Sequence, residues 1–281
     1  MTGSRSSISY FDRIFNKVNS ENYNLSIRFR PDGLFYSFYD TLAGKYIGFE
    51  SVLIPTASEM YDYIKSHSLL QLKYNKCKCI VPASHYTLVP TSLFIKESAK
   101  EYLQFLNLTD PTEEVKTFSV YTESAELVYS TNLAFIRFID ELFYNACIVP
   151  EVAAFIDLIS FRFKSVNPTG LFLNLYSETF DLLIMGQGRI KFCNNFMYKS
   201  AEDLAYYTIF VIDQLQLDVE STRLYLFGNI TTKSEILKLL RKYIKTVKVL
   251  TEDRDTMMSY ALSEIHQYQY PDLFNPRLCE L

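Results

Sequence analysis

The 281-residue sequence has no tryptophan, only three histidines (His67, His85 and His266) and only five cysteines. It also lacks a long apolar run. Its most apolar segments, 133–143 and 203–217, are broken by Arg137, Asp140, Glu141 and Asp213. A membrane-spanning helix needs roughly 18 or more predominantly apolar residues in a row. The start of the chain lacks the positive segment followed by an apolar stretch that marks secretion. These absences lead to the expectation of a soluble, cytoplasmic protein with no integral membrane association. Charge of one sign is missing too: 28 Lys and Arg stand against 32 Asp and Glu, for a formal net charge of −4. Without a broad basic footprint no nucleic-acid partner is expected. The local basic cluster Lys238, Arg241, Lys242, Lys245 and Lys248 reads as a solvated helix end. Cys77, Cys79, Cys147, Cys193 and Cys279 are odd in number and scattered, which argues against a disulfide scaffold. Cys77 and Cys79 share a strand face, but no companion pair has zinc spacing, so reduced packing cysteines are the expectation.

What the chain has is apolar and aromatic mass: 48% hydrophobic residues, with 22 Tyr and 22 Phe. That is enough for two modest domains with real cores. Residues 1–22 read as an N-terminal arm with a short amphipathic helix around Tyr10–Val18. Tyr23–Arg30 then alternates as a strand, turns at Pro31-Asp32-Gly33, and continues into strands at 34–39 and 46–53. A helix at 57–66 and a strand at 76–81 follow. Residues 84–131 read as an inserted subdomain, with a short strand at 86–89, a helix at 92–106 and paired strands at 115–121 and 125–130. Asn132 caps a helix over 133–144, a strand occupies 146–149, and a helix runs from 151 to about 161.

After a junction at 164–168 the pattern starts again. Strands at 170–176, 180–185 and 189–192 are joined by turns at Ser177–Thr179 and Gly186-Gln187-Gly188. Ser200 and Asp203 form a capping-box entrance to a helix at 201–216. A strand at 223–227, a helix from Thr232 or Ser234 to Ile244 and a strand at 247–250 complete the series. The repetition predicts an α/β fold of two related lobes, 23–165 and 166–281. It does not fit a Rossmann domain or a TIM barrel, which need successive βα crossovers. The aromatic tail, with Tyr268, Tyr270, Pro271, Leu273, Phe274 and Pro276, suits docking across a lobe, a flexible end or a partner contact.

The repeated order resembles the actin-like ATPase superfamily, which is ribonuclease H-like in fold. The segment from Tyr23 to Arg28, with Pro31-Asp32-Gly33 and Val89-Pro90, is similar to the uncharacterised Bacteroidetes DUF3822 family. The superfamily resemblance implies an inter-lobe nucleotide cleft, with a D-x-G pattern near each lobe's first hairpin and paired glycines on the adenosine side. Here the first position reads Ser26-Ile27-Arg28 and the second Asn174-Leu175-Tyr176. Neither supplies the Asp that orients Mg²⁺ and its waters, nor the Gly that lets backbone approach phosphate. The adenosine-side segment, Leu226-Phe227-Gly228-Asn229, keeps one glycine. Gly186-Gln187-Gly188 lacks the spacing and lysine of a Walker motif. No catalytic, cofactor-binding or metal-ligating residue is assigned, and no cofactor is predicted. The leading expectation is a non-catalytic protein-interaction or assembly module with a protein partner, contacted through 84–131 or the tail. The alternative is a divergent ATP-binding switch or weak ATPase, with ATP and Mg²⁺ in a cleft lined by accessible Asp32, Asn174 and Gly228.

Overall fold

A computed structural model describes residues 7–106, 110, 112–143, 145–164, 169–231, 233–250 and 256–275. The first sheet is built from β1 (Ser7–Phe11), β2 (Tyr23–Arg30), β3 (Gly33–Asp40), β4 (Lys45–Leu53), β5 (Lys76–Val81) and β9 (Cys147–Pro150). Its order is β1-β4-β3-β2-β5-β9. β2, β3 and β4 form an antiparallel meander, and β5 and β9 join parallel beside β2. The second sheet uses β10 (Gly170–Leu175), β11 (Thr179–Gly186), β12 (Arg189–Met197), β13 (Arg223–Gly228) and β14 (Thr246–Val249). Its order is β12-β11-β10-β13-β14, again an antiparallel meander followed by two parallel strands. Strand for strand it repeats the first sheet without β1.

The connecting helices repeat as well. α1 (Ala57–Ser66) joins the first meander to β5, as α5 (Ala201–Gln214) joins the second to β13. α3 (Leu133–Leu142) leads into β9, as α6 (Glu235–Leu240) leads into β14. Between β5 and α3 lie β6 (His85–Pro90), α2 (Ala99–Phe105), β7 (Glu113–Val120) and β8 (Ala125–Asn132), which form a separate sheet ordered β6-β8-β7. The caps are set locally. The side chains of Thr56 and Asn132 accept from backbone N–H groups of α1 and α3, and Ser200 and Asp203 form a reciprocal capping box on α5, satisfying donors that a helix start leaves open.

α4 (Glu151–Phe163) binds the lobes together. Ten of its thirteen residues are buried, the signature of a helix enclosed on every side. Phe155 meets Phe227 of β13 edge-on at 5.4 Å, and Phe163 packs on Phe172 and Tyr225. One contiguous apolar core therefore takes in residues of both sheets and α4.

Several expectations change. The arm is not helical at Tyr10: Ser7–Phe11 extends the first sheet along the open edge of β4, and a 3₁₀ turn occupies Lys17–Asn22. The apolar alternation that reads as helix over so short a window instead places Phe11 against Phe15 and Phe38. The helix expected at 92–106 is confined to α2 plus two 3₁₀ turns. There the Tyr102 hydroxyl accepts from Ile95 N and donates to Leu93 O, taking backbone groups that a longer helix would use. α6 is likewise shorter than 232–244. Cys77, Cys79 and Cys193 are free, whereas Cys147, half-buried on the outermost strand β9, is disulfide-bonded, so reduced cysteines throughout is not what is found. Cys279, Pro276 and junction residues 165–168 lie outside the described residues.

The tail docks on the first sheet. Leu262, Leu273 and Phe274 close a second apolar cluster with Tyr46, Phe49 and Ile80. Ser37 and Tyr46 donate to the Leu273 carbonyl at 3.2 and 3.3 Å, and Lys78 donates to the Asn275 carbonyl at 2.8 Å. This cover buries the polar side of β2, including Ser26 and Arg28.

Candidate functional site

The two β-hairpins that the duplicated fold sets face to face are β2–β3, tipped by Pro31-Asp32, and β10–β11, tipped by Tyr176, Ser177 and Glu178. Alternation along β2 sends Tyr23, Leu25, Ile27 and Phe29 into the core and leaves Arg28 and Arg30 on the opposite face. Arg30 donates to Glu151 at the start of α4 at 2.9 Å, and Arg28 pairs with Asp272 of the tail at 3.3 Å. Both guanidinium groups lie over the Tyr176 ring, with Cζ 4.6 Å from its centroid for Arg30 and 5.7 Å for Arg28. Such cation–π contacts strengthen when desolvated.

Below the ring is a buried polar network. Asp181 of β11 accepts from the hydroxyls of Tyr176 at 2.8 Å and Tyr86 at 3.0 Å, and from Asn195 Nδ2 at 2.9 Å. Asn174 Nδ2 donates to the Tyr176 hydroxyl at 2.8 Å. Asp181 is 1% exposed and Asn174 2%. The network ties the inserted sheet, through Tyr86 on β6, to three strands of the second lobe. Burial raises the Asp181 carboxyl above its ordinary range, against the hydrogen bonds from Asn195, Tyr176 and Tyr86, and burial also holds both tyrosines neutral.

Glu151 carries a testable pH dependence. Burial pushes its carboxyl up to about 7, with Arg30 and Arg28 offsetting part of that cost and Asp181 and Asp272 adding to it. A carboxyl raised on folding stabilises the native state fully below its ordinary value of 4.5, and that contribution is lost as pH rises through about 7. From that difference, about 3 kcal/mol of unfolding free energy is expected to disappear between pH 4.5 and 8. Urea denaturation across this range should show a shallower slope for Glu151→Gln than for the native chain. Parallel slopes would remove Glu151 from the account.

Two cavities flank the hairpins. One, of about 220 Å³, is lined by Arg28, Arg30, Asp32, Tyr176 and Asn229 together with tail residues Gln269 and Tyr270. The other, of about 740 Å³, opens beside β6 and β12 and is bounded by Arg30, Asp32, Glu151, Tyr86 and Asn195. Of the three residues expected in an accessible nucleotide cleft, only Asp32 is exposed and lines these cavities. Asn174 is turned into the network. Gly228 is buried with φ at +79°, and a Cβ there would collide with the Leu175 carbonyl, so its role is a close strand exit. Gln187 and Gly188, at φ +55° and +71°, make the hairpin turn between β11 and β12. Among the described residues no group of three or more His, Cys, Asp or Glu side chains could hold a metal ion. His67 lies by Tyr36 and Glu50, His85 lines the larger cavity, and His266 stacks on Tyr268. No helix of the described chain is long and apolar enough to cross a membrane.

Arg30, Glu151, Asp181, Tyr86 and Asn195 are not singled out by motif reading. The signal for Asp181 was present: a carboxylate inside Phe180–Met185, where every neighbour is apolar, demands buried partners.

Two duplicated sheets with facing hairpins, and an insertion in the first, define an actin-like ATPase fold. The chain superposes on a Bacteroides thetaiotaomicron VPI-5482 protein with actin-like ATPase fold and unknown function at a TM-score of 0.79, with 20% identity over 86% of this chain and 96% of that one. It matches the PilM–PilN type IV pilus biogenesis complex at a TM-score of 0.60, with 10% identity over 89% of this chain and 96% of that one. No curated protein matches it in sequence. Residues 12–247 match the family described as a protein of unknown function, DUF3822, and the chain belongs to that family.

Proposed function

We propose that the chain is a non-catalytic, actin-like protein-interaction or assembly module whose cleft is held by its own side chains. One observation carries the reading: Tyr176, with Arg28 and Arg30 over its ring and its hydroxyl held by Asn174 and Asp181, occupies the place between the two hairpins. A phosphate group there would meet an aromatic ring and two guanidinium groups already paired with Asp272 and Glu151. The 220 Å³ cavity beside it falls below the roughly 300–1,000 Å³ of small-molecule sites. The PilM–PilN structure, a complex with a second protein, lends support to interaction as the use of this architecture.

The alternative, a divergent ATP-binding switch, draws on the larger cavity and exposed Asp32. Titration calorimetry with ATP and Mg²⁺ at millimolar concentration separates the readings. The module reading expects no saturable binding tighter than about 1 mM. Metal-dependent binding in the micromolar range would overturn it.

A further inference from the structure

The larger of the two cavities holds charge that the fold leaves unused. It measures about 740 Å³, within the roughly 300–1,000 Å³ of small-molecule sites, and its walls come from both lobes. Asp32 stands at the tip of the β2–β3 hairpin, Glu178 at the tip of β10–β11, and Glu151 at the start of α4. Asp32 and Glu178 are exposed, and neither carboxylate has a hydrogen-bond or ion-pair partner among the described residues. Asp32 acts on Arg30 at longer range only. Glu151 is 6% exposed. Its Oε2 accepts from Arg30, while Oε1 has no hydrogen-bond partner among the described residues and is not sealed in the core. That oxygen opens onto the cavity that Glu151 lines. A carboxylate oxygen largely withdrawn from water and left without a donor is costly, and an incoming N–H group would satisfy it.

Among the described residues Arg30 is the only Lys or Arg in these walls, and it is already engaged with Glu151 and the Tyr176 ring. Three carboxylates against one guanidinium leave an excess of two negative charges, in a cleft whose walls concentrate their field. The excess selects a cation, and two further features select its kind. A metal ion needs its ligands gathered about one point, yet no three His, Cys, Asp or Glu side chains among the described residues are so placed. The carboxylates are instead distributed over two hairpins and a helix, which suits a cation with several N–H donors. Between them Pro31, Pro82, Ala83 and Met197 give the cavity apolar wall, fit to cover the methylene stem behind a charged head. We propose that this cavity binds an alkylguanidinium or alkylammonium group, carried on an arginine or lysine side chain of a partner segment or on a free polyamine.

The bound cation takes its hydrogen bonds from both lobes, Asp32 on one hairpin and Glu178 on the other, with Glu151 Oε1 behind them. A guanidinium meets such a set best, because its planar fork presents five donors to carboxylates. The same carboxylates repel a triphosphate, so this is not a displaced nucleotide pocket. The inference names a partner chemistry for the interaction reading and rests on that reading only for the source of the side chain. It does not depend on the place that Tyr176 fills, which titration with ATP tests separately.

The test is calorimetric titration of the full chain at about pH 8, above the value of about 7 to which Glu151 is raised, so that its carboxyl is ionised. The probes are N-acetyl-arginine methylamide, spermidine, and the citrulline counterpart of the first, which keeps its shape without its charge. At least one of the two cations is expected to saturate with a Kd on the order of 100 µM. The citrulline probe should bind at least about 10-fold more weakly than capped arginine. Tighter binding of capped arginine assigns the group to a side chain, and tighter binding of spermidine assigns it to a free polyamine. Asp32→Asn combined with Glu178→Gln should weaken the cation about 10-fold or more. Both positions are exposed turn residues, so this variant should melt as the native chain does. No saturation by either cation below about 5 mM, citrulline binding equal to capped arginine, or affinity unchanged in the double variant would overturn the inference.

Discussion

Phe155→Ala is expected to destabilise the protein by about 4 kcal/mol, the range found for removing a fully buried phenylalanine. Phe155 is fully buried and sits near the middle of α4, whose other faces are filled by Ala153, Ala154, Ile156, Leu158 and Ile159. The neighbouring alanines have no longer side chains to swing into the space, so the cavity persists, and Phe227 loses its edge-on partner at 5.4 Å. For a chain of this size the melting temperature should fall by roughly 10 °C. Because α4 lies in the core shared by both sheets, the loss is expected to appear as one cooperative transition at lower temperature, not as a new melt of one lobe. Phe105→Ala is the control. Phe105 is 88% exposed, and its removal should change stability by no more than about 0.5 kcal/mol. Differential scanning calorimetry of the two variants checks both statements. A Phe155→Ala loss under about 1 kcal/mol would mean that the lobes do not share the core described here.

Much of this architecture was legible because local signals and the global fold agree. Alternation in Tyr23–Arg30, the turn at Pro31-Asp32, the cap at Asn132 and the capping box at Ser200 each act within a few residues, and each reappears in the structure. The repeated order of meander, helix and parallel strand is a sum of such signals, so the duplicated sheets could be read from them. The first strand, Ser7–Phe11, could not. Its five residues become a strand only because β4 offers an open edge some forty residues further on, and a pairing partner is invisible to periodicity. The candidate site lies between these cases. Missing D-x-G patterns identified Arg28 and Tyr176 as departures, but not as partners. Their contact is made by chain segments about 150 residues apart, and the counter-charges come from α4 and the tail. The tail's destination was also beyond local reading, since an aromatic segment suits several surfaces equally until Lys78, Ser37 and Tyr46 are seen to hold its backbone.

The second large effect is expected at Asp181. Asp181→Ala should cost about 3–5 kcal/mol, because it strands the buried Tyr176 and Tyr86 hydroxyls, each at roughly 1–3 kcal/mol, while the half-buried Asn195 amide is left facing the larger cavity. The cost falls short of a simple sum for a physical reason: burial already raises the Asp181 carboxyl, so the charged form is held at some expense in the native state. Asp181→Asn should therefore be milder, about 1–2 kcal/mol, as the amide oxygen still accepts from two of the three donors. A double-mutant cycle with Tyr176→Phe isolates the link across the second hairpin, and a coupling of about 1 kcal/mol or more is expected between side chains 2.8 Å apart. The location of the damage is the sharper readout. Tyr86 is the hydroxyl through which β6 reaches the second lobe, so hydrogen exchange in Asp181→Ala should accelerate across His85–Pro90 while β2 and β3 stay protected. Exchange that rises equally in every strand would show Asp181 to be a general stabilising residue. Exchange confined to β6 would show that this network fastens the inserted sheet to the second lobe.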